Sequence, residues 1–287
     1  RLSLVGSEMC IRDRSELVKI SSDGNLGLEE GQKFERGGIY RFTVDVTKGN
    51  TKAVLTVEKV GKVDLPAPDI FFGNDKMEVT DTDIYKSDQA FTQGQMITVT
   101  GIDNLNEWWI DPDFFEKQSD GALKFLPING DYRVTANAVL KYFSVMALKD
   151  GKPAKLQDDG TGAIWAIGKG IGKPSVTSSE VGWEPSKALC LAQVASKKYQ
   201  LTLKAGETLK TSGDPEVISF KFFHQNDWGG EFGNYASSIL VEQLKLADSG
   251  NLEMQDNKAF EEGAVYRFTI DVTNGNANAD LKVEKIN

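Results

Sequence analysis

Aromatic side chains on two glycine-bordered segments are the residues of this sequence best suited to hold a ligand. Trp183 lies in EVGWEPS, and Trp228 and Tyr235 lie in QNDWGGEFGNY. A large aromatic ring is costly to leave in water, and its flat face is a stacking surface for the apolar side of a sugar. Asn226 and His224 stand nearby and can hydrogen-bond hydroxyl groups. The pattern predicts a saccharide site on these loops, with core packing of the two tryptophans as the alternative.

The segment VISFKFFH, residues 217–224, adds a basic side chain to these loops. Alternation along a strand places Phe220 and Phe222 on one face and Lys221 and Phe223 on the other. The first face is apolar and is expected to meet the core. Lys221 is therefore expected on the outer face, directly before the loop that carries Trp228.

Carboxylates are gathered at one place, in IDPDFFEKQ, where Asp111, Asp113 and Glu116 stand close together in sequence. A pair of carboxylates is the usual acid/base machinery of a glycosidase. Such pairs normally come from distant segments, however, and the proline and aromatic residues here favour a turn packed on a core. We assign no catalytic residue.

The glycine-rich segment IGKGIGKP, residues 167–174, follows a candidate strand. Its spacing fits neither phosphate-binding glycine pattern, so it predicts a flexible loop between strands. The chain holds one histidine, His224, which excludes any multi-histidine metal site. We expect neither a cofactor nor a metal.

The length and net charge of the chain limit its number of domains and its classes of ligand. The 287 residues include 42 acidic and 33 basic side chains, for a net charge of −9. An acidic chain repels phosphate, which argues against nucleic-acid binding. The length is compatible with two domains of ordinary size. No apolar run approaches the roughly 20 residues of a membrane-spanning helix.

An internal repeat organises the chain. Residues 24–60 and 250–286 align without a gap at an offset of 226, with 20 identities in 37 positions. Both copies read as two strands joined by a turn. We therefore interpret residues 15–62 as the C-terminal remnant of a preceding β-sandwich repeat. Residues 1–14 are unlike the rest and resemble a translated sequencing adapter, so we interpret them as an artefact.

The region between the two copies predicts an all-β protein of tandem β-sandwiches. Short strand candidates at turn-bounded intervals over residues 63–150 indicate an immunoglobulin-like spacer domain. A polar, glycine-rich stretch then precedes a second sandwich over residues 155–287. Without the N-terminal Cys10, Cys190 has no disulfide partner, and its apolar neighbours predict a buried thiol.

The C-terminal sandwich resembles the carbohydrate-binding modules of SusE/SusF-type outer-membrane lipoproteins of Bacteroidota. The shared features are Gly182-Trp183, Phe220-Lys221-Phe222 and Asn226-Asp227-Trp228. The resemblance covers about residues 160–287, and residues 15–60 through the repeat. It implies that Trp183, Lys221 and Trp228 form the ligand-binding surface. The segment before Gly182-Trp183 is longer than in that family.

The resemblance implies a non-catalytic protein that binds polysaccharide or oligosaccharide at the cell surface, as part of a glycan-uptake system. Its expected partner is an outer-membrane glycan transporter complex, and a lipid anchor outside this fragment is expected to be its membrane attachment. Two alternatives remain open: an accessory domain of a glycoside hydrolase, which predicts release of reducing sugar, and a structural surface adhesin, which predicts no response of tryptophan fluorescence to any glycan.

Overall fold

The computed structural model describes residues 12–13, 17–20, 25–29, 32, 34–49, 53–64, 67–211 and 217–287. Its regular structure is nearly all β-strand, which confirms the predicted all-β fold. The chain divides into two compact units, Arg1–Ala67 and Pro68–Asn287. Of the segment interpreted as an artefact, all but Arg12 and Asp13 lies outside the described residues.

The first unit is built around one antiparallel hairpin. Its described strands are β1 (Arg12–Asp13), β2 (Val18–Ile20), β3 (Leu26–Leu28), β4 (Gly38–Asp45) and β5 (Val54–Lys62). Strands β4 and β5 form the hairpin, with Phe42 opposite Val57 in its register. This is the strand-turn-strand arrangement that the repeat predicts.

The second unit begins with a spacer domain of three antiparallel sheets. Its strands are β6 (Phe71–Phe72), β7 (Asp75–Lys76), β8 (Glu78–Asp81), β9 (Ile84–Phe91), β10 (Met96–Ile97), β11 (Val99–Thr100), β12 (Phe115–Lys117), β13 (Leu123–Phe125), β14 (Gly130–Asn137), β15 (Tyr142–Lys149) and β16 (Lys152–Pro153). The largest sheet has the order β16-β15-β14-β9-β8. Rings from different sheets meet in the core, with the Phe72 and Phe143 centroids 5.3 Å apart.

Strand β9 lies inside that largest sheet, between β14 and β8, where no strand is predicted from the sequence pattern. Its residues IYKSDQAF carry four polar side chains in a row, which hides the alternation. Tyr85 and Ser87 are nevertheless buried on one face, and Arg133 pairs with Asp88 at 2.6 Å on the other.

The C-terminal domain is a sandwich of two sheets. Its elements are β17 (Trp165–Gly172), α1 (Val176–Ser179), β18 (Glu180–Gly182), β19 (Leu189–Cys190), β20 (Ala192–Ala195), β21 (Lys198–Lys204), β22 (Ser219–Phe223), β23 (Ser237–Ile239), β24 (Leu244–Leu246), β25 (Leu252–Met254), β26 (Val265–Asp271) and β27 (Asp280–Lys285). One sheet runs β18-β17-β22-β25-β24 and the other β20-β21-β26-β27-β23. Phe220 and Phe268 face each other across the core, 5.5 Å between ring centroids.

Three short 3₁₀ helices complete the regular structure in the described part of the chain: Leu105–Glu107, Pro185–Lys187 and Asn276–Asn278. Cys190 is buried and free, as the apolar setting predicts. None of the helices in the described residues has the length and hydropathy of a membrane span.

The interpretation of IGKGIGKP as a flexible loop is wrong. Residues through Gly172 belong to β17, which is buried at seven of its eight positions. Gly168 and Gly170 have φ of 143° and 83°, values that favour glycine, and a Cβ at Gly168 would lie 2.3 Å from the Phe220 Cα. The glycines therefore serve close packing of an irregular strand against β22.

Lys173, at the end of this segment, joins the two domains of the second unit. Its Nζ lies 2.8 Å from Asp111 and 2.9 Å from Asp113, and all three side chains are buried. Asp113 also accepts hydrogen bonds from Gln200 Nε2 at 2.7 Å and from the Thr202 backbone at 2.6 Å. The carboxylates predicted to lie in a turn packed on a core thus face a lysine some 60 residues away.

Burial and neighbouring charges shift the pKa values of this cluster. Burial raises the pKa of Asp111, and Asp113 nearby raises it further against the opposing effect of Lys173. For Asp113, burial also acts upward, but Lys173, Thr202 and Gln200 outweigh it and hold the pKa below its usual value. Burial acts downward on the pKa of Lys173, and the two carboxylates outweigh it and raise that pKa. The lysine therefore stays charged.

The two copies of the repeat differ in burial. Phe268 and Ile270 are 0% exposed, whereas their counterparts Phe42 and Val44 are 48% and 45% exposed. The face that β22 covers in the C-terminal domain has no such cover in the described part of the first unit. Within the described part of the first unit, this hairpin therefore leaves apolar side chains in contact with water.

We expect trypsin to cut within residues 34–62 well before it cuts within 260–287. The two hairpins offer equivalent cleavage sites, Arg41 and Arg267, but the first has little buried apolar surface to resist local opening. Mass spectrometry of a limited-proteolysis time course measures the order. Equal cleavage rates at the two arginines would show that the exposed hairpin is held by other contacts.

Candidate functional site

The structure brings the two predicted loop tryptophans together. The rings of Trp183 and Trp228 are stacked, with centroids 6.3 Å apart and planes 26° from parallel. Trp183 is 36% exposed and Trp228 is 51% exposed, whereas Trp108 and Trp165 are nearly buried. We call this pair the tryptophan platform. An exposed pair of stacked rings is a large apolar surface of the kind that marks binding sites.

Trp183 is presented by the edge strand β18. This strand pairs with β17, and Gly168 lies opposite Gly182, the residue before the tryptophan. Gly182 has φ of 58°, a conformation that turns the chain out of the strand. The 3₁₀ helix Pro185–Lys187 then begins two residues after Trp183. The position of the ring is therefore fixed by regular structure on both sides.

Trp228 is presented by a short loop that its own hydrogen bonds close. The loop follows β22, and His224 N donates to the Gly230 oxygen at 2.7 Å. Gln225 Nε2 donates to the Trp228 oxygen at 2.6 Å, and Trp228 N donates to Asp227 Oδ1 at 2.8 Å. Because the loop is ordered before any ligand arrives, less entropy is lost on binding.

Phe223, on strand β22, packs against the Trp228 ring of the tryptophan platform. Its ring meets the Trp228 ring edge to face, with centroids 6.0 Å apart, and it is only 2% exposed. Alternation separates Phe223 from Phe220 and Phe222 as predicted, but the face of Phe223 is buried here as well: its register partner Trp165 is 1% exposed. A phenylalanine there is explained by Trp228, which folds over it.

Lys221 lies on the same face as Phe223, as predicted. In the register it stands opposite Ile167 on β17, and it is partly exposed. Its side chain makes no hydrogen bond or ion pair with any residue that the structure describes. The ammonium group is therefore available to a ligand on this face of the sheet.

Asn226 belongs to the same loop as Trp228, two residues before it, and is partly exposed. Its side-chain amide has no hydrogen-bond partner among the described residues. It can both donate and accept, which suits a sugar hydroxyl.

His224 and Tyr235 are not brought to the platform. His224 packs its ring edge on Phe232 at 4.4 Å, and Phe232 in turn stacks on Tyr235 at 5.8 Å. Alternation along β22 puts His224 on the face opposite Phe223. Burial lowers the pKa of His224, with a partial offset from Asp158. These two residues form a second aromatic cluster around Phe232.

The hydroxyl of Tyr235 is buried and has no partner among the described residues. Burial raises the pKa of this phenol. Its assignment as a ligand-binding residue stays a prediction, and the geometry gives it no place beside Trp183 or Trp228.

The charges nearest the platform are largely paired. Lys187 lies 2.6 Å from Glu184, the residue after Trp183, and this contact holds the pKa of Glu184 below its usual value. Within the described ranges, no group of three or more His, Cys, Asp or Glu side chains is arranged to hold a metal ion. The chemistry that the site offers is aromatic stacking with hydrogen bonding from Lys221 and Asn226.

Two family models match the chain. The family described as "Domain of unknown function (DUF5121)" matches residues 6–47 and 159–273. The family described as "Domain of unknown function (DUF5125)" matches residues 51–156, which contain all strands of the spacer domain. Among curated proteins, no sequence matches the chain.

The two DUF5121 matches end at Thr47 and Thr273, positions that are equivalent in the internal repeat. The first unit and the C-terminal domain therefore share a family as well as a sequence pattern. The first match begins at residue 6, inside the segment interpreted as an artefact, and that interpretation stays a prediction. Neither family description assigns a function.

Proposed function

We propose that this chain, which belongs to the family described as "Domain of unknown function (DUF5121)", binds a polysaccharide on its tryptophan platform without catalysing a reaction. The observation that carries the proposal is the stacked and exposed pair Trp183 and Trp228. An indole ring stacks on the C–H groups of a sugar, and two adjacent rings offer contact to more than one sugar unit.

The position of the platform supports a chain-like ligand. Both rings are exposed at the surface, so a long polymer can contact them without threading into the protein. Lys221 shares a sheet face with Phe223, which contacts Trp228, and Asn226 lies two residues before Trp228, so both can supply hydrogen bonds to hydroxyl groups. Backbone hydrogen bonds fix the loop of Trp228, which favours binding without rearrangement.

The arrangement of carboxylates favours binding over hydrolysis. Of the three carboxylates that stand close together in sequence, Asp111 and Asp113 are buried and bonded to Lys173, and Glu116 pairs with Lys124 at 3.3 Å. An inverting or retaining glycosidase needs two carboxylates that flank the substrate. Those of the cluster face a lysine at a domain junction instead.

The resemblance to SusE/SusF-type lipoproteins extends the proposal to a cellular setting. On that basis the protein acts at the cell surface, attached to the outer membrane through a lipid anchor. It holds glycan for an outer-membrane transporter complex. Lys173 bonds the spacer domain to the sandwich, which holds the sandwich and its platform in a fixed position relative to the spacer.

Affinity electrophoresis of the full chain in gels containing different polysaccharides tests the proposal. We expect at least one polysaccharide to retard the protein, with a parallel change in tryptophan fluorescence. Incubation with that polysaccharide should release no reducing ends. Release of reducing ends would favour the hydrolase alternative, and absence of both responses would favour the adhesin.

We expect Lys221→Ala to weaken glycan binding by less than about ten-fold. A hydrogen bond at an exposed position contributes only about 0.5–1.5 kcal/mol net. Lys169→Ala is the matched control, because Lys169 is an exposed lysine on the neighbouring strand, opposite Ser219 in the register. Isothermal titration calorimetry measures both variants. Equal affinities for the two variants would remove Lys221 from the site.

A further inference from the structure

The repeat places an arginine at equivalent positions in two different settings. In the first unit, Arg41 Nη1 donates to Glu58 at 3.0 Å. In the C-terminal domain, Arg267 stands opposite Glu284 in the register, as Arg41 stands opposite Glu58. Glu284 is instead paired with Lys282 at 2.7 Å.

Arg267 makes no hydrogen bond or ion pair with any described residue, and its Nε atom is buried without a partner. Buried guanidinium nitrogens seldom lack a hydrogen-bond partner, because each unpaired buried donor carries a desolvation penalty. The two copies differ two residues before the glutamate, where the first copy has Thr56 and the second has Lys282, and Lys282 takes Glu284 from Arg267. The surroundings of Arg267 then decide what its guanidinium group can bind.

Those surroundings are a cleft between the two domains of the second unit. Its volume is about 360 Å³, and it is lined by the spacer residues Trp109, Ile110 and Pro112 and by Gln200, Thr202 and Arg267 of the sheet. The spacer residues form one wall of this cleft and the sheet residues form the other. A cleft of this size suits a sugar unit.

The other charged groups at the cleft are already paired. Lys204 lies 2.8 Å from Glu207, and Trp109 Nε1 donates to the same carboxylate at 3.0 Å. Behind the spacer wall, Asp111 and Asp113 share Lys173. Among the described lining residues, Arg267 is therefore the cation without a partner.

We propose that this cleft binds the carboxylate-bearing unit of an acidic polysaccharide, with Arg267 as its anion-binding residue. The planar guanidinium group matches a carboxylate with two parallel hydrogen bonds. Trp109 adds an aromatic wall, and Thr202 and Gln200 add polar groups for hydroxyls. The inference rests on the proposed glycan-binding function and assigns a charge preference to it.

Titration of the full chain with sodium glucuronate, and with glucose as the neutral match, tests the inference by NMR at low ionic strength. We expect glucuronate to shift the Trp109 indole resonance and to bind at least about ten-fold more tightly than glucose. Arg267→Gln should lose at least about ten-fold in glucuronate affinity, whereas Arg41→Gln should leave it unchanged. A thermal melt of both variants shows that the fold is intact.

Equal affinity for glucose and glucuronate, or equal losses in the two arginine variants, would overturn the inference. The Trp183→Ala/Trp228→Ala double variant separates it from the proposed function. Failure of every polysaccharide to bind the platform, with Arg267-dependent glucuronate binding retained, would refute the platform alone. Platform binding that is indifferent to both glucuronate and Arg267→Gln would refute the cleft alone.

Discussion

Replacing Lys173 by methionine should lower the free energy of unfolding of the second unit by about 3–5 kcal/mol. The substitution leaves Asp111 and Asp113 buried without their shared cation, at 6% and 0% side-chain exposure. A buried carboxylate without a counter-charge is strongly destabilising, because water no longer solvates it and no partner replaces the water. Urea denaturation followed by tryptophan fluorescence measures the loss.

Lys210→Met is the matched control for that experiment. Lys210 pairs with Glu180 at 2.8 Å, but both side chains are about one third exposed, so its loss should cost less than about 1 kcal/mol. Adding Asp111→Asn to Lys173→Met should recover part of the stability, because it removes one unpaired charge. Similar losses in Lys173→Met and Lys210→Met would mean that water reaches the cluster.

Trp228→Ala and Trp183→Ala should each weaken polysaccharide binding by about ten-fold or more while the melting temperature stays close to that of the wild type. Stacking on an aromatic side chain is worth roughly 1–3 kcal/mol for nucleic-acid bases, and a sugar ring should fall in a similar range. Because the two rings contact each other, the losses should not simply add in the double variant. Isothermal titration calorimetry and a thermal melt on each variant measure both properties.

Two control variants show whether a loss of binding in the tryptophan variants comes from the site or from unfolding. Ile239→Ala removes an apolar side chain that is 62% exposed on the other sheet, and it should change neither property. Trp165→Ala removes a ring that is 1% exposed, and it should cost about 3–5 kcal/mol of stability. A fall in melting temperature for Trp228→Ala comparable with that of Trp165→Ala would identify Trp228 as a structural residue.

The parts of the fold that were predictable from sequence are those whose information is local. Alternation in VISFKFFH placed Phe220 and Phe222 in the core and Lys221 outside it, and the turn residues located the closing hairpin. The glycine and asparagine residues around Trp183 and Trp228 indicated exposed loops. Each of these patterns depends on neighbours within a few positions.

The interactions that sequence reasoning missed are those between distant segments. Lys173 was assigned to a loop and Asp111 to a turn, and nothing local relates the two. Strand β9 was missed because a sheet interior with buried polar residues has no simple apolar alternation. The cleft beside Arg267 has spacer residues such as Trp109 and Pro112 in its lining, so only the assembled second unit shows it.

The comparison of the wild type with the Trp183→Ala/Trp228→Ala double variant by affinity electrophoresis tests the central claim most directly. The gel contains the polysaccharide that retards the wild type most, and a gel without polysaccharide corrects for intrinsic mobility. We predict that the wild type is retarded and that the double variant migrates as it does without polysaccharide, with an unchanged melt. Equal retardation of the two proteins would contradict the account, because glycan would then bind without the tryptophan platform.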